Sequence, residues 1–156
     1  MKKTSLITAT LISLLFIKQA HACTISENLL ESVPLNYSGI PNAYRLKMAD
    51  MVLAARSWPD VEIQAQIVAS AYVGEHNASR LAQSRGGQLK EFLIQLGIKG
   101  QYIYVDTHIN QTAYPVDSTG HGGYLQLGVS LLPLCKNGCQ KLCDDPRVVP
   151  TTRVIK

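Results

Sequence analysis

The stretch NASRLAQSRGGQLKEFLIQLGI, residues 77–98, decides how this chain folds. At helical spacing Ala78, Leu81, Arg85, Leu89, Phe92 and Leu96 share one side, with Ala82 and Leu93 beside them. That is the 3.6-residue pattern of an amphipathic helix. Gly97 supplies the stop, because a helix commonly closes on a left-handed residue that glycine adopts without penalty. Two features break the pattern. Gly86-Gly87 lies mid-helix, where each glycine costs roughly 1 kcal/mol against alanine. Arg85 lies on the apolar side, and arginine is seldom fully buried unless paired. It is expected at the edge of that face, beside a partner or a ligand.

Upstream, residues 61–67 (VEIQAQI) alternate apolar and polar, the signature of a strand with one inward face. Residues 69–76 read as the loop from that strand into the helix. Before it, Val33, Leu35 and Tyr37 alternate with Pro34, Asn36 and Ser38, an opening strand that Pro34 places on an edge or at an irregular start. The turn Gly39-Ile40-Pro41-Asn42 then leads into a first helix ending near Arg56, with Ala43, Leu46, Ala49, Val52 and Leu53 inward. Ser57-Trp58-Pro59-Asp60 ends it, since proline disfavours helix at the residue before it. Downstream, 101–106 (QYIYVD) is a strand by composition. Residues 107–123 form a polar loop, and 124–131 alternate again with Leu125, Leu127, Val129 and Leu131 on one face. There is no internal repeat. The order strand, helix, strand, helix, strand, strand predicts an α+β two-layer sandwich: a mixed sheet of about four strands with two helices on one face.

The first 22 residues read as a secretory signal peptide. Lys2-Lys3 open it, Leu6 to Ile17 are mostly apolar, and Ala20-His21-Ala22 fits the small-x-small cleavage rule. The apolar run is short of the ~20 residues of a membrane span. The whole chain carries a charge of +4, but Lys2, Lys3 and Lys18 leave with the signal while every acidic residue stays, so the mature charge is near +1. Nucleic-acid binding, which needs a clustered positive footprint, loses its support. From Cys23 onward the chain is long enough for one domain with a core. Its four cysteines, Cys23, Cys135, Cys139 and Cys143, suit two disulfides in an oxidising compartment, with three possible pairings. The preferred pairing ties Cys23 to the C-terminal cluster and closes a small loop with the other two. The rivals are lipidation of Cys23, which would make an outer-membrane lipoprotein although Ala20 and His21 depart from a lipobox, and a zinc site, which lacks a nearby histidine.

Leu81-Ala82-Gln83-Ser84-Arg85-Gly86, followed by Leu89, Phe92-Leu93 and Gly97-Ile98, resembles the helix pattern of the OmpA-like C-terminal domain family. The flanking elements follow in the family's order, and the likeness spans about residues 32–132. Residues 23–31 are then an N-terminal lead and 133–156 a cysteine-containing tail expected to be loosely ordered. The resemblance implies non-covalent binding of peptidoglycan, in which an aspartate at the end of the strand before this helix and the helix arginine grip the diaminopimelate of the stem peptide. Arginine offers a planar two-pronged fork to a carboxylate, and aspartate pairs with the ammonium. Arg85 matches that arginine. The aspartate has no counterpart, because its place falls near Ser70 or Ala71. The ligand-binding set expected on this basis is Arg85, Ser70 and Glu75, the last as a replacement carboxylate from the loop. The closing strand also lacks the family's opening arginine, with Gly122-Gly123 standing before Tyr124.

Arg85 has a competing role as part of the scaffold, paired with Glu75 or Asp106, and the missing aspartate tips the balance that way. Asp106 with His108 is a lone D-x-H in a polar stretch and reads as solvated loop. His76 and His121 lack metal-ligand spacing. Residues 118–123 precede no helix that would cradle a phosphate, and no serine stands in a nucleophile elbow. Trp58, Tyr102, Tyr104 and Tyr124 suit packing better than a sugar surface. The three N-x-S/T matches, from Asn36, Asn77 and Asn110, carry no weight behind a bacterial-looking signal. No enzyme, cofactor or metal site is expected. The sequence points to a periplasmic binding module of the cell envelope that contacts peptidoglycan and helps anchor an envelope assembly. The alternative is a divergent domain that has lost wall binding and engages a protein partner, such as a toxin acting in the periplasm or a secretion machine. Mass spectrometry of the unreduced protein checks the disulfides.

Overall fold

In a computed structural model describing residues 23–112 and 126–153, the 77–98 stretch forms α2 (Ala78–Gln95), and Gly97 closes it with φ of 87°. Leu81, Ala82, Arg85, Gly86, Leu89 and Leu93 form its buried face. Gly86 is there because a Cβ at that position would come within 2.7 Å of Val105 Cγ1 and 3.4 Å of Ala69 Cβ, so the helix can lie down on the sheet only without one. Gly87 faces open space.

The chain runs β1 (Cys23–Thr24), β2 (Glu27–Glu31), α1 (Asn42–Ala55), β3 (Glu62–Tyr72), α2, a 3-10 turn at Gly100–Tyr102, β4 (Ile103–Asn110), β5 (Leu127–Leu134), α3 (Gln140–Cys143) and β6 (Thr152–Arg153). The main sheet has the order β2-β5-β3-β4, with β3 and β4 parallel and the other neighbours antiparallel. Both long helices cover one face, α1 over β2 and β5, α2 over β3 and β4. Met48 and Val52 from α1, Leu89 and Leu93 from α2, and Ile67, Val129 and Leu131 from the sheet meet in one core. The α+β two-layer architecture is as the sequence predicts.

Several elements differ from expectation. The opening strand is Glu27–Glu31, inside the stretch read as a lead, and 33–37 is not a strand. Pro34 lacks an N–H for a ladder, and residues 34–37 turn instead, with Tyr37 N–H donating to Pro34 O at 3.0 Å and Asn36 at φ 61°. Val33 is held by a side chain: its N–H donates to Gln126 Oε1 (2.8 Å) and its carbonyl accepts from Gln126 Nε2 (2.9 Å). A buried amide thus replaces a strand neighbour. Helix α1 turns a different face inward. Tyr44, Met48, Met51, Val52 and Ala55 are buried, while Leu46 and Leu53 stay 69% and 61% exposed. Two apolar stripes overlap on this helix, and the one carrying the bulkier tyrosine and methionines fills the core. The Tyr44 hydroxyl donates to Leu29 O at 3.3 Å, and burial, aided by the Glu31 charge, raises its pKa far above the usual value.

β3 continues through residues 69–72, read from sequence as loop, and β4 reaches Asn110, since the register Ala65↔Ile103 to Tyr72↔Asn110 pairs the two strands over their whole overlap. The C-terminal tail is docked rather than loose. Leu142 and Val148 join the core, β6 pairs with β1, and the disulfides are Cys23–Cys143 and Cys135–Cys139. The Cys23 sulfur is therefore bonded to protein, not free to carry a lipid. No described helix is long and apolar enough to cross a membrane. Residues 1–22, with the expected signal, and 113–125, with His121, Tyr124 and Leu125, lie outside the described residues.

Candidate functional site

Three segments converge at the C-terminal ends of the parallel strands β3 and β4. The first is the 34–37 turn. The second is the β3–α2 connection, where Glu75 N–H donates to Tyr72 O at 2.9 Å and so folds the chain back on the strand end. The third is the buried face of α2. Asn36 joins the first two: its side-chain oxygen accepts from His76 N–H at 2.7 Å, and its own N–H donates to Glu75 Oε1 at 2.8 Å.

Arg85 enters this junction from α2 and, contrary to the edge position expected for it, is wholly buried. Its five N–H groups all have partners. Nη1 donates to Glu75 Oε2 (3.1 Å) and to Ser70 O (2.8 Å). Nη2 donates to Glu75 Oε1 (2.8 Å) and to Tyr37 O (2.8 Å), and Nε donates to Tyr37 O (3.0 Å). Glu75 is equally saturated, because each carboxylate oxygen takes one guanidinium bond and one backbone N–H, from Asn36 on Oε1 and from Tyr72 on Oε2 at 2.8 Å. Five donors and four acceptor sites are what the two side chains possess. The pair is closed.

Its electrostatics follow. Burial alone would raise the Glu75 carboxyl, but the hydrogen bonds from Arg85, Tyr72 and Asn36, with the Arg85 charge, hold it below its ordinary 4.5. The carboxylate is thus ionised and the buried charges cancel.

The expected set of Arg85, Glu75 and Ser70 is therefore brought together, with Ser70 taking part through its main chain. The Ser70 carbonyl meets Arg85, while its hydroxyl turns away and accepts from Asn110 Nδ2 at 3.1 Å. Asp106 and His108 lie exposed on β4 and take no part. Sequence reasoning missed Asn36, Tyr37 and Gln126. Tyr37 acts through its carbonyl, which residue type does not advertise. Asn36 had one signal, since asparagine tolerates positive φ and its side chain bonds nearby backbone.

Beside the closed pair, at the same end of the sheet, a shallow depression is lined by Val73, Asn77, Arg80, Gln83 and Ile109. Val73 is more than half exposed. Among the described residues, no group of three His, Cys, Asp or Glu side chains is arranged to hold a metal.

Comparison with known proteins gives one kind of likeness. The chain is similar in structure to the OmpA-like domain of FopA1 from Francisella tularensis subsp. tularensis SCHU S4, with a TM-score of 0.51 and 13% identity over 74% of this chain and 81% of that one. No protein-family model and no curated protein sequence matches. The fold is OmpA-like.

Proposed function

We propose that this chain is an exported, non-enzymatic binding domain of the bacterial envelope, built on the OmpA-like fold, whose ligand is a protein. The fold supports a binding module. The signal-like residues 1–22 and the two disulfides support export to an oxidising compartment. One observation carries the choice of ligand: all five N–H groups of Arg85 are spent on Glu75, Ser70 and Tyr37, so no fork is left for the carboxylate of a stem peptide. The pair then acts as a clasp. It fixes the 34–37 turn and the β3–α2 connection, and with them the depression that Val73 and Arg80 present to a partner.

A second reading, peptidoglycan binding, is favoured by Arg85 itself, which stands where the family resemblance puts the ligand arginine. In that reading Glu75 is a stand-in carboxylate, and a diaminopimelate carboxylate would have to displace it along with its bonds to Asn36 and Tyr72. Each such charge-assisted bond contributes about 1.5–3 kcal/mol, which weighs against the exchange.

Sedimentation of the mature protein with purified cell walls, with and without free diaminopimelate, separates the two. The proposal expects no sedimentation with wild type and none with Glu75→Gln. Wall binding that free diaminopimelate competes away, and that Arg85→Lys abolishes, would overturn it in favour of the second reading.

A further inference from the structure

Strand β4 is the outermost strand of the main sheet among the described residues, and its sequence, IYVDTHIN, has no lysine or proline to blunt the edge and a single charged side chain, Asp106. It is also poorly covered: Tyr104 is 58%, Val105 39% and Ile109 36% exposed. In an edge strand the outward N–H and C=O groups belong to alternate residues. Two antiparallel copies can therefore form a ladder only in registers that oppose residues of the same parity. This leaves few central registers. The one centred on Asp106 sets aspartate against aspartate, and the one centred on His108 sets histidine against histidine. The register centred on Thr107 does neither. It places Asp106 of each copy opposite His108 of the other, Val105 opposite Ile109 and Tyr104 opposite Asn110.

We infer that β4 is a self-association edge, and that two copies of this protein pair antiparallel along it about Thr107, joining two four-stranded sheets into one of eight strands. The occupant is a second copy because the Asp106–His108 complementarity is reciprocal and is satisfied twice by one two-fold axis, while Val105 and Ile109 cover each other on the helix side. The helices leave room. Because α2 packs over both β3 and β4, the two α2 axes would run about 10 Å apart, an ordinary helix-packing distance.

Sedimentation equilibrium of the disulfide-intact mature protein tests this, with circular dichroism verifying each variant's fold. A monomer–dimer equilibrium that moves toward dimer as concentration rises is expected. His108→Asp sets aspartate against Asp106 twice and should weaken the dimer about tenfold or more. The exchange Asp106→His with His108→Asp restores the carboxylate–imidazole pairing and should restore the dimer. Register is read separately. Thr107→Cys meets itself at the axis and should cross-link two copies on oxidation, whereas Val105→Cys, roughly 14 Å from its own mate, should not. A monomer at every concentration overturns the inference and leaves the edge to a strand from another protein. A dimer unmoved by His108→Asp, or one in which Thr107→Cys does not cross-link, overturns it as well.

Discussion

Arg85 and Glu75 face each other through two parallel hydrogen bonds of 3.1 and 2.8 Å, and neither side chain has any exposed surface. A buried pair contributes modestly against a well-packed apolar replacement, yet breaking it strands a charge inside the protein. Arg85→Met and Glu75→Gln are each expected to lower the unfolding free energy by about 3–5 kcal/mol. The variant Arg85→Met with Glu75→Gln, which removes both charges, should cost clearly less than the two singles added together. Urea unfolding of the four proteins closes the cycle, and strict additivity would mean that the pair is not coupled.

The same pair sets a pH dependence. Glu75 has its folded pKa below the ordinary value of 4.5, so the unfolded chain takes up the proton first on acidification. The stability it contributes is complete above about pH 5 and is lost as pH falls through the lowered folded value. The Glu75→Gln protein should show a flatter decline than wild type below pH 4.5, with the two curves parallel above it. Denaturant midpoints measured from pH 7 to pH 3 provide the comparison.

The two glycines of α2 should answer alanine with opposite signs. At Gly87 a Cβ meets nothing within 4 Å, so Gly87→Ala should gain about 0.8–1 kcal/mol of helix propensity. At Gly86 the Cβ would come within 2.7 Å of Val105 Cγ1, and overpacking of this kind costs about 1–3 kcal/mol. Adding Val105→Ala to Gly86→Ala should recover part of the loss. Thermal unfolding of the three variants reads the signs directly.

The two disulfides should differ in weight. Cys23–Cys143 spans 120 residues of sequence and Cys135–Cys139 spans 4. In the chain-entropy account their removal by paired alanine substitution costs about 5 and about 2 kcal/mol respectively. Equal losses in urea unfolding would point to native contacts rather than loop closure as the source.

Much of this fold is written in residue periodicity. The α2 pattern, the alternation before Ile67 and the inward Leu127, Val129 and Leu131 are each a local signal that the packed core respects. What escaped detection depends on partners distant in sequence. Residues 33–37 alternate like a strand, but the group beside Val33 is the Gln126 side chain, 93 positions away. Residues 107–110 have a polar look, and only their parallel pairing with β3 makes them strand. On α1 two apolar stripes overlap, and no local rule chooses between Leu46 with Leu53 and Tyr44 with Met48. The candidate site divides in the same way. Arg85 on an apolar face and a carboxylate in the adjoining loop are legible by residue type. The backbone groups of Asn36, Tyr37 and Tyr72 that complete their coordination are not.

The Cys23–Cys143 bond has a mechanical consequence. All four strands of the main sheet and both long helices lie inside the covalent ring it closes. Tension applied between the two ends of the folded chain passes from one sulfur to the other and bypasses the hydrogen-bonded sheet. Only the segment beyond Cys143 stands in the load path, where the β1–β6 ladder and the Asp145–Arg147 ion pair yield first. Pulled by its ends, the domain would shed a short strip and keep its shape.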